Sequence, residues 1–164
     1  MTEPLFNPNP DRIITAHDLF DKEHKRNLEN FKFRVSVYGV LCRGKEILVQ
    51  RHPKLKTYGL PGGGVEIGEN IKGSLFREFR EETGLDVKAG KLITVTEDFF
   101  THEGEDAHSV LITFEVSSVG GKLLPEGNQD DTGEVKFIGL EDLNKENTQR
   151  VFWEIIKTIK GNTK

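Results

Sequence analysis

The sequence predicts an α/β fold in which a mixed sheet carries a helix on each face. Three observations carry that expectation. Apolar, β-rich runs recur along the chain, among them "FRVSVYGVLC" from Phe33, "KLITVTEDFF" from Lys91 and "HSVLITFEV" from His108. Two segments, 71–83 and roughly 144–160, instead show helical periodicity. Stretches rich in Gly, Pro and Asp separate these runs, so each helix is free to cover one face of a shared sheet.

Each element has its own reason. The first eleven residues hold three of the six prolines, with asparagines between them, and predict an extended arm. "TAHDLFDKEHKRNLENF" (15–31) predicts a short polar helix anchored by Leu19, Phe20 and Leu28; lid, dimer contact and plain packing are all open roles for it. From Phe33, "FRVSVYGVLC" and "EILVQRH" read as strands joined at "RGK". "PKLKTYGLPGGG" follows as loop and short strand. The helix over 71–83 ends at Gly84, where a C-terminal glycine belongs. The polar turn "THEGEDA" links two further strands, and "GGKLLPEGNQDDTG" leads into the strand "EVKFIGL". In the last helix Val151, Phe152, Ile155, Ile156 and Ile159 share one face, with Gly161 as its stop. The domain division expected is therefore an extension over 1–32 and one globular domain over 33–164.

Composition narrows the function classes. Charged residues make up 30% and hydrophobic ones 35% of 164 residues, which suits a soluble domain with a real core. A net charge of −4 speaks against sequence-independent binding of a nucleic-acid polymer, which needs a basic surface. It is compatible with a small phosphate-bearing ligand if a bound cation supplies positive charge. Cys42, the single cysteine, excludes an intrachain disulfide and reads as a buried thiol. The N-terminus lacks the basic and apolar regions of a signal peptide, and no apolar run approaches membrane-spanning length. A cytoplasmic setting is the default expectation.

The chemistry concentrates in "GGGVEIGENIKGSLFREFREETGL" (62–85). On a helix at about 100° per residue, Glu78 and Glu82 fall in line and Glu81 sits one flank over, beside the apolar stripe of Leu75 and Phe79. Like charges four residues apart normally repel. Carboxylates crowded at the border of a core need protons or cations to offset them, and hard oxygen ligands suit Mg²⁺ or Mn²⁺. The approach "LPGGG" lets backbone come close and turn a carbonyl toward the same ion. The bland alternative for "REFREE" alone is a salt-bridged solvent face.

The pattern Gly-x5-Glu-x7-Arg-Glu-apolar-x-Glu-Glu-x-Gly-apolar is met at all nine specified places: Gly63, Glu69, Arg77, Glu78, Phe79, Glu81, Glu82, Gly84 and Leu85. This resembles the signature of the Nudix hydrolase family, over roughly residues 33–160, with the specific part at 59–85. The resemblance implies an α/β/α sandwich that hydrolyses a nucleoside diphosphate linked to another moiety, X. It implies Glu78 and Glu82 as ligands to Mg²⁺ or Mn²⁺, with Glu81 sharing that role directly or through water and the Gly62 carbonyl as a further ligand. Arg77 and Glu69 become supporting residues that hold the acids. The water's proton goes to Glu82 or Glu81, or to an acid of the later loop: Glu126, slightly favoured, Asp130, Asp131 or Glu134.

Around this core, Arg51 is a candidate phosphate contact at the end of a strand, and Tyr58 a candidate cleft residue. His102 and His108 lack the spacing of a zinc helix and sit at a hairpin turn. "DFFTHEG" (98–104) carries neither the proline nor the tyrosine that marks particular subfamilies, although Phe99 or Phe100 could stack on a base. The partner expected is a small nucleotide derivative, with a homodimer left open. The rival function, from another class, is a nucleotide-sensing module of the same fold that does not cleave. Retention of every acid in the pattern favours catalysis.

Overall fold

The computed structural model describes residues 9, 11–130 and 132–162. In chain order it contains β1 (Ile13–His17), β2 (Glu23–Asn27), β3 (Phe31–Arg43), β4 (Glu46–Arg51), β5 (Gly62–Gly64), α1 (Ile71–Thr83), β6 (Leu85–His102), β7 (Glu105–Gly121), β8 (Glu134–Gly139) and α2 (Arg150–Asn162). The strands form one curled mixed sheet in the order β2-β1-β6-β7-β3-β4-β8, with β5 paired to β3 off that path. β3 runs parallel to β7 from Phe31↔Asp106 to Leu41↔Val116, and β6 lies antiparallel to β7 with three register shifts that bend the pair. No helix is long and apolar enough to cross a membrane.

Side-chain alternation splits the core in two. On one face Val37, Leu41 and Leu48 meet Leu75 and Phe79 of α1. On the other, Val40, Ile47 and Val49 meet Phe152, Ile155 and Ile156 of α2. Both α1 anchors are fully buried, each contributing about 1.5–3 kcal/mol of transfer free energy. The Asn70 side chain caps α1 by accepting from the Gly73 amide at 2.8 Å, and Gly84, at φ +75°, closes it in the left-handed conformation. The acidic stripe of α1 is therefore held rigidly at the edge of the first core.

Three expectations are corrected. Residues 15–31 form no α-helix; they supply most of the β1–β2 hairpin and a short 3-10 turn at Leu28–Asn30. Turn chemistry outweighs the sparse helical pattern. The Asp18 carboxylate accepts from the Phe20 and Lys22 amides at 2.9 and 3.0 Å, and Asp21 takes φ +65°. Ile14 and Ala16 then alternate inward on a strand that pairs with β6 at His17↔Phe100. The last helix starts at Arg150, because Asn144 and Asn147 side chains bond neighbouring backbone and hold 144–147 in a turn; Gly161 lies inside it, not after it. Cys42 is exposed beside the β3–β4 hairpin tip. The arm expected over 1–11 lies, apart from residues 9 and 11, outside the described residues.

Candidate active site

The site begins with one buried carboxylate. Glu82 is 6% exposed, on the face of α1 turned toward β4 and β5. Its Oε2 accepts from the Gly62 amide at 2.7 Å, and its Oε1 accepts from Gln50 Nε2 at 2.8 Å and Thr132 Oγ1 at 3.3 Å. The single Thr132 hydroxyl hydrogen is shared between Glu82 Oε1 and Gln50 Oε1, which lies 3.1 Å away, closing a small ring of polar groups. Burial pushes Glu82 up to about 8, against the opposing pull of Gln50 and Gly62. Burial thus favours the neutral form of this side chain in the metal-free protein.

Glu78, one turn earlier, lies against the glycine strand: a Cβ placed on Gly63 would come within 2.7 Å of its carboxylate. Gly62 has φ +138°, and a Cβ there would meet the Val37 carbonyl oxygen at 2.1 Å. The glycines thus let backbone and two carboxylates crowd together where any side chain would intrude. Burial raises Glu78 as well, although Arg77 opposes the shift.

Arg77 organises the remaining acids. It grips Glu69 with Nε and Nη2, both at 2.9 Å, and donates through Nη1 to Glu78 at 2.8 Å and to Glu81 at 3.3 Å. Its Nη2 also reaches the Gly64 carbonyl at 3.2 Å. Hydrogen bonds from Arg77 and then from Ser74 hold Glu69 down to about 2. Glu81, 56% exposed, is the solvent-facing member of the set.

Among the described residues, no three His, Cys, Asp or Glu side chains converge closely enough to enclose a cation unaided. That suits Mg²⁺, which keeps several waters and binds through one or two carboxylates together with phosphate oxygens. Glu78 and Glu82, both raised by burial, are the hard oxygen donors such an ion would relieve. The donor set fits the group.

These acids open onto a cleft of about 1190 Å³. Its lining includes Arg34, Ser36 and Tyr38 of β3, the glycines of β5, the 52–57 loop, Asp98 and Phe100 of β6, and the first turn of α2 with Trp153. Residues 17–21 of the N-terminal hairpin also belong to it. Arg34 lies over Gly64, where an added Cβ would come 2.7 Å from its Nη2. It is the cation at the acidic end of the cleft.

Other sequence candidates fall elsewhere. Arg51 and Tyr58 do not line the cleft. Alternation along β4 turns Gln50 toward Glu82 and therefore Arg51 to the opposite face, where it pairs with Glu134 at 3.1 Å. Tyr58 packs on the α2 core, with Lys136 over its ring at 4.9 Å. Glu126 is exposed on the loop and does not line the cleft, while Asp131 lies outside the described residues. Phe100 and His102 line the cleft, but Phe99 stacks on His108 outside it, and His108 meets Glu97 at 3.1 Å. Sequence reasoning misses Gln50, Thr132 and Arg34, because only strand register and loop return bring them to the acids. The alternation of "EILVQRH" is the one local signal that separates Gln50 from Arg51.

A family model described as NUDIX domain matches residues 32–158. The chain is 31% identical over 147 residues to the ADP-ribose pyrophosphatase of Methanocaldococcus jannaschii, covering 80% of this chain and 83% of that protein. It is 28% identical over 110 residues to the NAD-capped RNA hydrolase NudC of Pseudomonas aeruginosa, covering 66% of this chain but only 37% of that one. The crystal structure of a MutT NUDIX hydrolase from Burkholderia pseudomallei superposes with a TM-score of 0.64 at 22% identity, over 78% of this chain and 98% of that one, a likeness of fold.

Proposed function

The chain belongs to the Nudix hydrolase family, and from that membership we propose a divalent-cation-dependent pyrophosphohydrolase that cleaves a nucleoside diphosphate joined to a further moiety, with ADP-ribose the first substrate to try. The observation that carries the reading is the pairing of Glu78 with the buried Glu82 beside the Gly62–Gly64 strand, both lining one cleft. Glu82 is buried and Glu78 partly buried, and their crowding is what a bound cation would relieve. Nudix hydrolases generally use divalent metal ions; Mg²⁺ or Mn²⁺ would be held by Glu78 and Glu82, with the Gly62 carbonyl as a further candidate donor.

Once bound, the cation supplies neutralisation of the diphosphate oxygens and acidification of a bound water. Arg34 adds positive charge to the phosphates from the β3 side of the cleft. Glu82, which lines the cleft, or Glu81, which Arg77 also holds, would accept the proton of the attacking water. Arg77 positions Glu78 and Glu81 by holding one oxygen of each, while Glu69 and Ser74 hold Arg77 and its partner in turn. Gln50 and Thr132 fix the Glu82 carboxyl. Arg51, Tyr58 and Glu126 take no part in this scheme.

The test is a panel of ADP-ribose, nucleotide sugars, nucleoside triphosphates and dinucleoside polyphosphates with Mg²⁺ and with Mn²⁺, following product nucleotides chromatographically. Hydrolysis of any of them supports the reading. Tight binding without turnover anywhere in the panel returns the chain to the sensing class.

A further inference from the structure

The β1–β2 hairpin lies outside the matched 32–158 domain, yet its turn forms part of the cleft wall. Leu19 and Phe20 line both the main cleft and an adjoining cavity of about 370 Å³, bounded also by Lys54 of the opposite loop. Phe20 is 68% exposed and borders both cavities.

The turn that presents Phe20 is not a loose tip. Besides its bonds to the Phe20 and Lys22 amides, Asp18 meets His24 Nε2 at 2.8 Å, and the Asp21 amide donates to the Asp18 carbonyl at 2.9 Å. From outside, Arg150 at the start of α2 ties Asp21 through Nε at 2.6 Å and Asp98 of β6 through Nη2 at 2.7 Å. One guanidinium thus joins the hairpin turn, the sheet and α2, three elements that all contribute residues to the cleft. These bonds hold the backbone of the turn in the free protein, so a ligand contact made here costs little further backbone ordering.

The carboxylates of Asp18, Asp21, Asp98 and Glu154 also border this region of the cleft. Asp18, Asp21 and Asp98 are already engaged by amides, His24 or Arg150, and Lys54, Lys56 and Lys145 line the same cleft, so the carboxylates offer acceptors to hydroxyls without making the region acidic. We propose that the hairpin turn is a specificity wall of the active cleft: Phe20 and Leu19 pack on the uncharged sugar-bearing moiety X beyond the diphosphate, and Arg150 is the positioning residue that holds them there. This rests on the hydrolase reading above, but it is read separately from it.

The experiment compares wild type with Phe20→Ala, Phe20→Leu and Arg150→Ala on ADP-ribose. Because Phe20 is exposed, its variants should keep the wild-type melting temperature. Phe20→Ala should raise KM about tenfold, the worth of burying roughly half a phenyl ring, with kcat within about twofold. Phe20→Leu should recover most of the loss, and Arg150→Ala should behave like Phe20→Ala. Unchanged KM in both alanine variants, or an equal fall in kcat, overturns the proposal. Should wild type turn over no substrate, the hydrolase reading fails and the wall is judged by binding alone. Trp153, the only tryptophan in the chain, lines the cleft and reports occupancy by its fluorescence. ADP-ribose binding weakened about tenfold by Phe20→Ala, with AMP binding unaffected, then upholds the wall; equal binding by both proteins, or none, overturns it.

Discussion

Replacing Glu82 by Gln separates the chemistry of this carboxyl from its part in the fold. In the metal-free protein burial favours the neutral form of this side chain, lifting it to about 8. An amide is close to it in shape, and the surrounding polar ring can adapt. The new oxygen can still accept from the Gly62 amide, and the new NH₂ can donate to Gln50 once that amide turns over. Gln50 then donates to Thr132, whose hydroxyl rotates to accept. The buried Thr132 hydroxyl hydrogen loses its acceptor in that arrangement, so the cost at pH 6 should be about 1–3 kcal/mol.

The pH profile sharpens the test. For a carboxyl raised in the folded state, the stability it contributes is complete below its unfolded value near 4.5 and is lost as pH rises through about 8. Metal-free wild type should therefore lose up to about 1.4 kcal/mol per pH unit from this group across that window. Glu82→Gln lacks that slope, so the gap between the two proteins should close by pH 9. Turnover in Mg²⁺ should nonetheless fall at least about 100-fold, because the amide neither ionises nor binds the cation as a carboxylate does. Urea unfolding in EDTA between pH 5 and 9, paired with steady-state rates, measures both. Near wild-type turnover, or parallel stability profiles for the two proteins, would refute the reasoning.

Other expectations follow from the same geometry. Arg77→Ala should cut kcat at least about tenfold with the fold retained by circular dichroism, since Glu69, Glu78 and Glu81 lose their shared partner. The Glu69 contribution, a carboxyl held down to about 2, is present above its unfolded value near 4.5 and lost as pH falls through about 2; Glu69→Gln should flatten the acid limb of a melting profile. Phe79→Ala, which empties the centre of the α1 core, should cost about 3–5 kcal/mol in urea unfolding. Stripping divalent ions with EDTA should abolish turnover, and readdition of Mg²⁺ or Mn²⁺ should restore it; persistent activity would remove the cation from the scheme.

Local patterns are legible wherever neighbours in sequence are neighbours in space. The helix over 71–83, its Gly84 cap and the stripe of Glu78, Glu81 and Glu82 beside Leu75 and Phe79 all follow from spacing alone, because a helix sets side-chain direction by residue count. The family pattern is equally local, since every one of its specified positions falls between Gly63 and Leu85. The mixed sheet with a helix on each face follows from the alternation of strand and helix signals.

What needed the tertiary structure depends on register and on long returns of the chain. Gln50 rather than Arg51 meets Glu82 because β4 pairs with β8 in one register; a one-residue slip would exchange them. Thr132 reaches Glu82 from fifty residues away, at the end of a loop whose path no short window encodes. The N-terminal segment becomes a hairpin through the Asp18 turn and pairing with β6, outweighing a weak helical pattern. Arg150 joins Asp21 and Asp98, partners 129 and 52 residues away, only once the sheet has brought all three to the cleft. The sequence by itself determined the acids and the helix that carries them. Packing decided which neutral side chains hold those acids and which wall stands opposite, because strand register and loop closure are properties of the assembled sheet.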